Sequence, residues 1–157
     1  MCRNTGIMEI YVDELDREII AILQSNGRAS NARIARGIGV SEGTVRRRLK
    51  KLIADGVIEI IAVVDAERLG YDTEALVGVQ VDPDKVMDVA ARLGELPESN
   101  WVAITTGTYD VFMWVTLQSA DQLGTFLREK LGVVSGVRRT ETFVRLSLPK
   151  KSTSVDL

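Results

Sequence analysis

The chain has 157 residues, 45% of them hydrophobic and 27% charged, with a net charge of −2. That composition excludes a disordered chain, and the length suits one ordinary domain or two small ones. There is no histidine and a single cysteine, Cys2, which excludes an internal disulfide framework and removes the commonest general base and metal ligand.

Residues 1–12 read as an N-terminal extension, with Met8 as an alternative start. They hold no apolar h-region, and no apolar run in the chain reaches membrane-spanning length. A soluble, cytoplasmic protein with no membrane partner is expected, and the lone cysteine fits a reducing compartment.

The first helix is expected over 13–26. Asp13 can cap it, Asp16 lies in its acidic first turn, and Leu15, Ile19, Ile22 and Leu23 form its apolar stripe. Gly27 stops it. Ser30 caps a second helix carrying Ile34, Ala35 and Ile38, which Gly37-Ile38-Gly39-Val40 breaks. Ser41 caps a third, with Val45, Leu49, Leu52 and Ile53 on one stripe. Gly56 ends it. Residues 13–56 thus read as a helix-turn-helix domain.

The third helix carries unusual charge. Gly43, Thr44, Arg47, Lys50 and Lys51 lie away from its stripe, while Arg46 and Arg48 flank it. From Arg28 to Lys51 eight basic residues (Arg28, Arg33, Arg36, Arg46, Arg47, Arg48, Lys50, Lys51) face one acid, Glu42, in a chain of net charge −2. A charge run is ordinarily a solvated face. A local excess of +7 behind a glycine turn, on a helix that opens with small residues, is instead the footprint of a recognition helix.

Residues 57–73 read as a linker. The β-branched run 57–64 predicts a strand, and 65–70 one helical turn. From 74 the pattern is strand (75–81), helix opened by Asp82-Pro83, and strand (101–106). After the turn Gly107-Thr108-Tyr109-Asp110 come a strand (111–117), a helix capped by Ser119, and a last strand (137–148). The order β-α-β-β-α-β predicts a ferredoxin-like domain over 74–148; 149–157 is a tail. Val111-Phe112-Met113-Trp114-Val115 is apolar at every position. Two helices cover only one face of such a sheet, so the other is expected to be buried in a homodimer.

No phosphate-loop, dinucleotide, nucleophile-elbow or zincin motif occurs, so the chain is not expected to be an enzyme, and no catalytic residue, metal site or cofactor is assigned. The turn after residue 106 is the best ligand candidate. Free backbone N–H groups near Gly107 suit an α-carboxylate, and Asp110 suits an α-ammonium.

In order and spacing the chain resembles the Lrp/AsnC (leucine-responsive, feast/famine) regulators. In the first domain the resemblance rests on Asp13, Asp16, Ile19, Leu23, Asn26-Gly27-Arg28, Ile34-Ala35, Ser41, Val45, Arg48, Leu52, Gly56 and Ile58. In the second it rests on Leu96-Pro97, Gly107-Thr108-Tyr109-Asp110, Gly136-Val137, Thr140 and Thr142. It departs at Ser99-Asn100-Trp101, where an apolar residue is usual after Pro-Glu. The resemblance implies an α+β fold: an N-terminal winged helix-turn-helix and a C-terminal ferredoxin-like (RAM-type) domain that oligomerises, often to octamers, and senses an amino acid.

The chain is therefore read as a sequence-specific transcriptional regulator that binds double-stranded promoter DNA and a small-molecule effector. The alternatives are an effector-independent DNA-binding architectural or regulatory protein, and a metabolite-binding interaction module without catalysis. The DNA-binding set is Arg28, Ser41, Gly43, Thr44, Arg46, Arg47, Arg48, Lys50 and Lys51. The effector set is Thr106, Gly107, Thr108, Tyr109 and Asp110.

Overall fold

The computed structural model describes residues 11–149. The expected extension up to residue 10, with Cys2 and Met8, and the tail from 150 lie outside the described residues. The rest divides between residues 63 and 64 into two compact units, a boundary inside the expected linker.

The first unit holds α1 (Glu14–Ser25), α2 (Asn31–Ile38) and α3 (Glu42–Ala54). Each start is capped as its sequence demands. Asp13, Ser30 and Ser41 accept from the N–H groups of Asp16, Arg33 and Thr44. Gly39 closes α2 in the left-handed region, φ 72°, a conformation that a β-carbon disfavours by roughly 1–2 kcal/mol. Ile19, Ile20, Ile34, Ala35, Val45 and Leu52 form the core between the helices.

The strand expected over 57–64 does not form. The N–H groups of Val57 and Ile58 turn back to the Leu52 carbonyl, and among the described residues no strand runs beside the segment to complete a ladder. Ile60, Ile61, Val63 and Val64 are consequently exposed. The expected helical turn is present as a 3-10 turn, Glu67–Leu69, closed by Gly70 at φ 82°.

The second unit is β1 (Thr73–Val81), α4 (Val86–Gly94), β2 (Ser99–Ile104), β3 (Val111–Leu117), α5 (Ala120–Phe126) and β4 (Val137–Val144). A π-helical turn, Leu127–Leu131, extends α5. The antiparallel sheet has the order β2-β3-β1-β4, as a βαββαβ chain requires.

Two boundaries differ from expectation for identifiable reasons. Pro83 does not open α4. The Lys85 N–H bonds the Asp82 carbonyl at 2.9 Å, making 82–85 a closed turn, and proline favours its second position. β4 stops at Val144 because β1, its partner, begins at Thr73; a last bond, Arg145 N–H to the Glu74 carbonyl at 2.8 Å, finishes the ladder.

The apolar run of β3 now resolves into two faces. Val111, Met113, Val115 and Leu117 are buried with Ala75, Val77, Val79 and Val81 against Val89, Leu93, Leu123, Phe126 and Leu131 of the helical layer. Phe112 and Trp114 take the opposite face. There the register sets Trp101 beside Trp114, Trp114 beside Leu76, and Leu76 beside Phe143. One apolar row therefore crosses all four strands of the sheet, and its two ends, Trp101 and Phe143, are each 47% exposed.

The two faces predict opposite outcomes for one substitution type. Met113→Glu puts a charge where burial is complete and should unfold the second unit. Trp114→Glu should leave it folded. Far-UV circular dichroism of the two variants is the check; equal loss of structure in both would contradict the assignment of faces.

Candidate nucleic-acid interface and ligand loop

Helix α3 is anchored by Val45 and Leu52, both buried, with Leu49 half-buried beside them. Ile53, expected on the same stripe, is 46% exposed, because it falls at the edge of that stripe, one position past buried Leu52, where the helix ends. The opposite side is open. Ser41, Gly43, Arg46, Arg47, Lys50 and Lys51 are exposed and Thr44 is half-buried. The hydroxyls of Ser41 and Thr44 lie 2.8 Å apart, so both polar groups at this helix start already have partners.

The arginine run divides three ways. Arg46 pairs with Glu42 one turn earlier, at 2.6 Å and largely exposed; such pairs contribute little. Arg47 makes no ion pair among the described residues and extends outward. Arg48 turns inward, its Nη1 2.5 Å from Asp13 Oδ2 and 3.3 Å from Asp16 Oδ2. The expected DNA-binding set is thus not brought together on one surface: Arg48 is already spoken for by α1. Arg28 is exposed on the turn between α1 and α2, with its N–H on Asn26 Oδ1 at 3.1 Å.

Asp13 and Asp16 have two tasks. Each accepts from the other's backbone N–H, at 2.9 and 3.4 Å, so they form the capping box of α1. Together they also hold Arg48. The Asp16 N–H and then the Arg48 guanidinium keep the Asp13 carboxyl below its usual value of 3.8. The expected capping role was legible in the sequence; the tie to Arg48, 35 residues away for Asp13, carried no local signal.

The candidate ligand loop, residues 105–110, closes the β2–β3 hairpin. Gly107 has φ 115°, and a β-carbon there would meet nothing within 4 Å, so the glycine serves the backbone conformation and leaves open space beside it. Thr106, Gly107 and Thr108 are exposed; Tyr109 and Asp110 are half-buried. Among the described residues the N–H groups of Thr106 to Tyr109 have no intrachain acceptor.

Several bonds fasten this loop to β1. Asp110 Oδ2 accepts from the Val81 N–H at 2.8 Å. The Asp110 N–H donates to the Val79 carbonyl at 3.0 Å. Gln80 Nε2 donates to the Thr108 carbonyl at 3.0 Å, and Thr105 Oγ1 to the Tyr109 carbonyl at 2.8 Å. Tyr109 lies over Gly78, where an added β-carbon would come within 2.8 Å of the ring, and meets Phe112 edge-on at 5.4 Å. Gln80, Thr105 and Gly78 were not anticipated. Gly78 could have been: a glycine inside a strand marks a close approach. A separate surface cleft of about 430 Å³, between Glu98, Phe126 and Lys130, lies toward the other end of β2 and β3.

Comparison with known proteins defines the class. The winged helix-turn-helix DNA-binding family matches residues 12–59, and the Lrp/AsnC ligand binding domain matches residues 74–155. An HTH-type transcriptional regulator of Pyrococcus furiosus is 43% identical over 140 residues, covering 88% of this chain and 95% of that protein. AsnC of E. coli superposes with a TM-score of 0.85 at 31% identity, over 92% of this chain and 98% of that one. A transcriptional regulator of Neisseria meningitidis, solved as its L-Met complex, has a TM-score of 0.85 at 25% identity, over 93% and 97%. The chain is an HTH-type transcriptional regulator with a ligand-binding domain, not an enzyme. It belongs to the Lrp/AsnC family. No helix among the described residues is long and apolar enough to cross a membrane.

The Asp13 shift predicts an acid limb. Its folded value is depressed, so its contribution is full above 3.8 and is lost as pH falls through the lower folded value. The first unit should therefore lose stability on acidification below about pH 4, and Asp13→Asn should reduce that loss. Urea midpoints across a pH series, followed by circular dichroism, are the measurement.

Proposed function

We propose that this regulator binds its operator as a homodimer, one α3 helix per half-site in successive major grooves. The observation that carries the reading is the outward side of α3, where Arg47, Lys50 and Lys51 are exposed and without ion-pair partners among the described residues. Arg47 is the base-edge reader. Lys50 and Lys51 contact phosphate, the exposed N-terminal residues Ser41, Gly43 and Thr44 approach the backbone closely, and Arg28 and Arg46 add flanking charge. Arg47→Ala should weaken binding by about 1–3 kcal/mol and relax specificity. Lys51→Ala should lower the salt slope by roughly one unit. Fluorescence anisotropy over a salt series measures both; unchanged affinity in the Arg47/Lys51 double alanine variant would sink the placement of α3 on DNA.

The second unit supplies self-association and sensing. The apolar row from Trp101 to Phe143 is the dimer surface, and a further assembly of dimers such as an octamer is compatible with it. Sedimentation of Trp114→Glu should report a smaller species than wild type. An amino-acid effector sits beside Thr106 to Asp110. Its carboxylate takes the unbonded N–H groups near Gly107, and its ammonium takes the Asp110 oxygen that Val81 leaves free. The bound L-Met of the Neisseria relative supports this ligand class. A calorimetric screen of the twenty amino acids should find a binder whose affinity falls in Asp110→Asn. Equal binding by that variant would remove the ammonium role; no binder at millimolar concentration would favour an effector-independent regulator.

A further inference from the structure

We infer that Arg48 is a positioning residue of the recognition helix. It contacts no DNA; through Asp13 and Asp16 it fixes the roll of α3 about its own axis and so aims Arg47. The inference rests on the proposed role of α3 and assigns how that helix is held to its task.

The geometry calls for such a restraint. α3 is buried along one narrow stripe, Val45 and Leu52. Apolar packing against α1 and α2 is non-directional, so it fixes the roll of the helix less sharply than an oriented bond does. On the polar side Ser41, Thr44 and Arg46 bond only within α3 or to its own cap. Arg48 flanks the stripe and reaches off the helix. Its guanidinium meets Asp13 at 2.5 Å and Asp16 at 3.3 Å, and the Asp16 side chain is 5% exposed. One nitrogen of a planar guanidinium, Nη1, is shared by the two carboxylates, and its N–H directions are fixed as those of a point charge are not. The carboxylates are themselves fixed, because they are the capping box of α1.

Roll matters for base reading. Side-chain tips lie about 5–6 Å from a helix axis, so a roll of about 10° displaces them by roughly 1 Å. That is enough to spoil a hydrogen bond to a base edge, whose useful range is only about 0.5 Å. Contacts to phosphate from flexible lysines tolerate the same error. Loosening the Arg48 tie should therefore remove specificity while sparing non-specific affinity.

The sign of one variant separates this from a direct role. Asp16→Asn removes a negative charge from the DNA-binding unit, so long-range electrostatics alone would strengthen binding. Positioning requires it to weaken. The full chain is first used to select a duplex from a random pool. Affinity for that duplex and for an unrelated one is then measured across a salt series for wild type, Asp16→Asn, Arg48→Met and Arg48→Lys.

The expected result is a loss of about tenfold or more on the selected duplex in Asp16→Asn and Arg48→Met, the equivalent of one base contact. Affinity for the unrelated duplex should be equal or slightly higher in Asp16→Asn and at most slightly lower in Arg48→Met, as the charge change alone dictates; the salt slope should be unchanged, and Arg48→Lys should recover part of the loss. Retained non-specific binding shows that a variant is folded. If Asp16→Asn fails that control, Asp13→Asn, at a more exposed carboxylate, takes its place with the same expectation. Equal or tighter specific binding by the aspartate variants overturns the inference. So does a salt slope lower by about one in Arg48→Met, the mark of a phosphate contact. Failure of wild type to select any duplex would instead overturn the DNA-binding role of α3 and the inference with it.

Discussion

Two helices can cover only one face of a four-stranded sheet, and much of the second unit follows from that constraint. α4 and α5 cover the face built by Val77, Val79, Met113 and Val115. The other face keeps Trp101, Trp114, Leu76 and Phe143 in one row. Polar residues there would make a stable monomer; large apolar ones make a surface whose exposure to water is unfavourable at about 25 cal/mol per Å². The sheet is thus packed on one face and, among the described residues, apolar and uncovered on the other.

Charge is distributed by a similar logic in the first unit. Successive residues on a helix point about 100° apart, so three consecutive arginines cannot share one task. Arg46 falls near Glu42 one turn back, Arg47 toward solvent, and Arg48 toward the start of α1. A basic run thereby provides a structural tie and an outward cation from adjacent positions. Formal charge alone overstates what such a helix can offer to DNA.

Periodicity and capping chemistry made most of the fold legible. Asp13, Ser30 and Ser41 announced helix starts that the structure realises, because a cap is a local bond between neighbours in sequence. Phe112 and Trp114 could be separated from Met113 by alternation, but which set faced the helices needed the tertiary packing. The run 57–64 misled for a related reason. β-branched residues fit a ladder, yet a ladder needs a partner, and the described residues supply none. At the candidate sites the residue types were readable and the pairings were not. Nothing near Arg48 points to Asp13, and nothing near Asp110 points to the Val81 N–H.

That last pairing ties the candidate ligand loop to β1. Asp110 bonds Val81, Gln80 bonds the Thr108 carbonyl, and Tyr109 occupies the space over Gly78. All of these partners lie on β1, the strand that also carries Leu76 in the apolar row. Tyr109 in turn abuts Phe112, the neighbour of Trp114 along that face of β3. A ligand that rearranges Thr106 to Asp110 therefore has to move the Tyr109 ring or break its bonds to β1. Moving the ring opens the space over Gly78 and changes the surface presented beside Phe112 and Trp114. On the proposed reading, ligand and partner copy share this aromatic contact. Each would then bias the other by the few kcal/mol, about 1–3, that coupled sites commonly exchange. The path is short, because the loop leads into β3 and bonds β1, and both of those strands also carry residues of the apolar row.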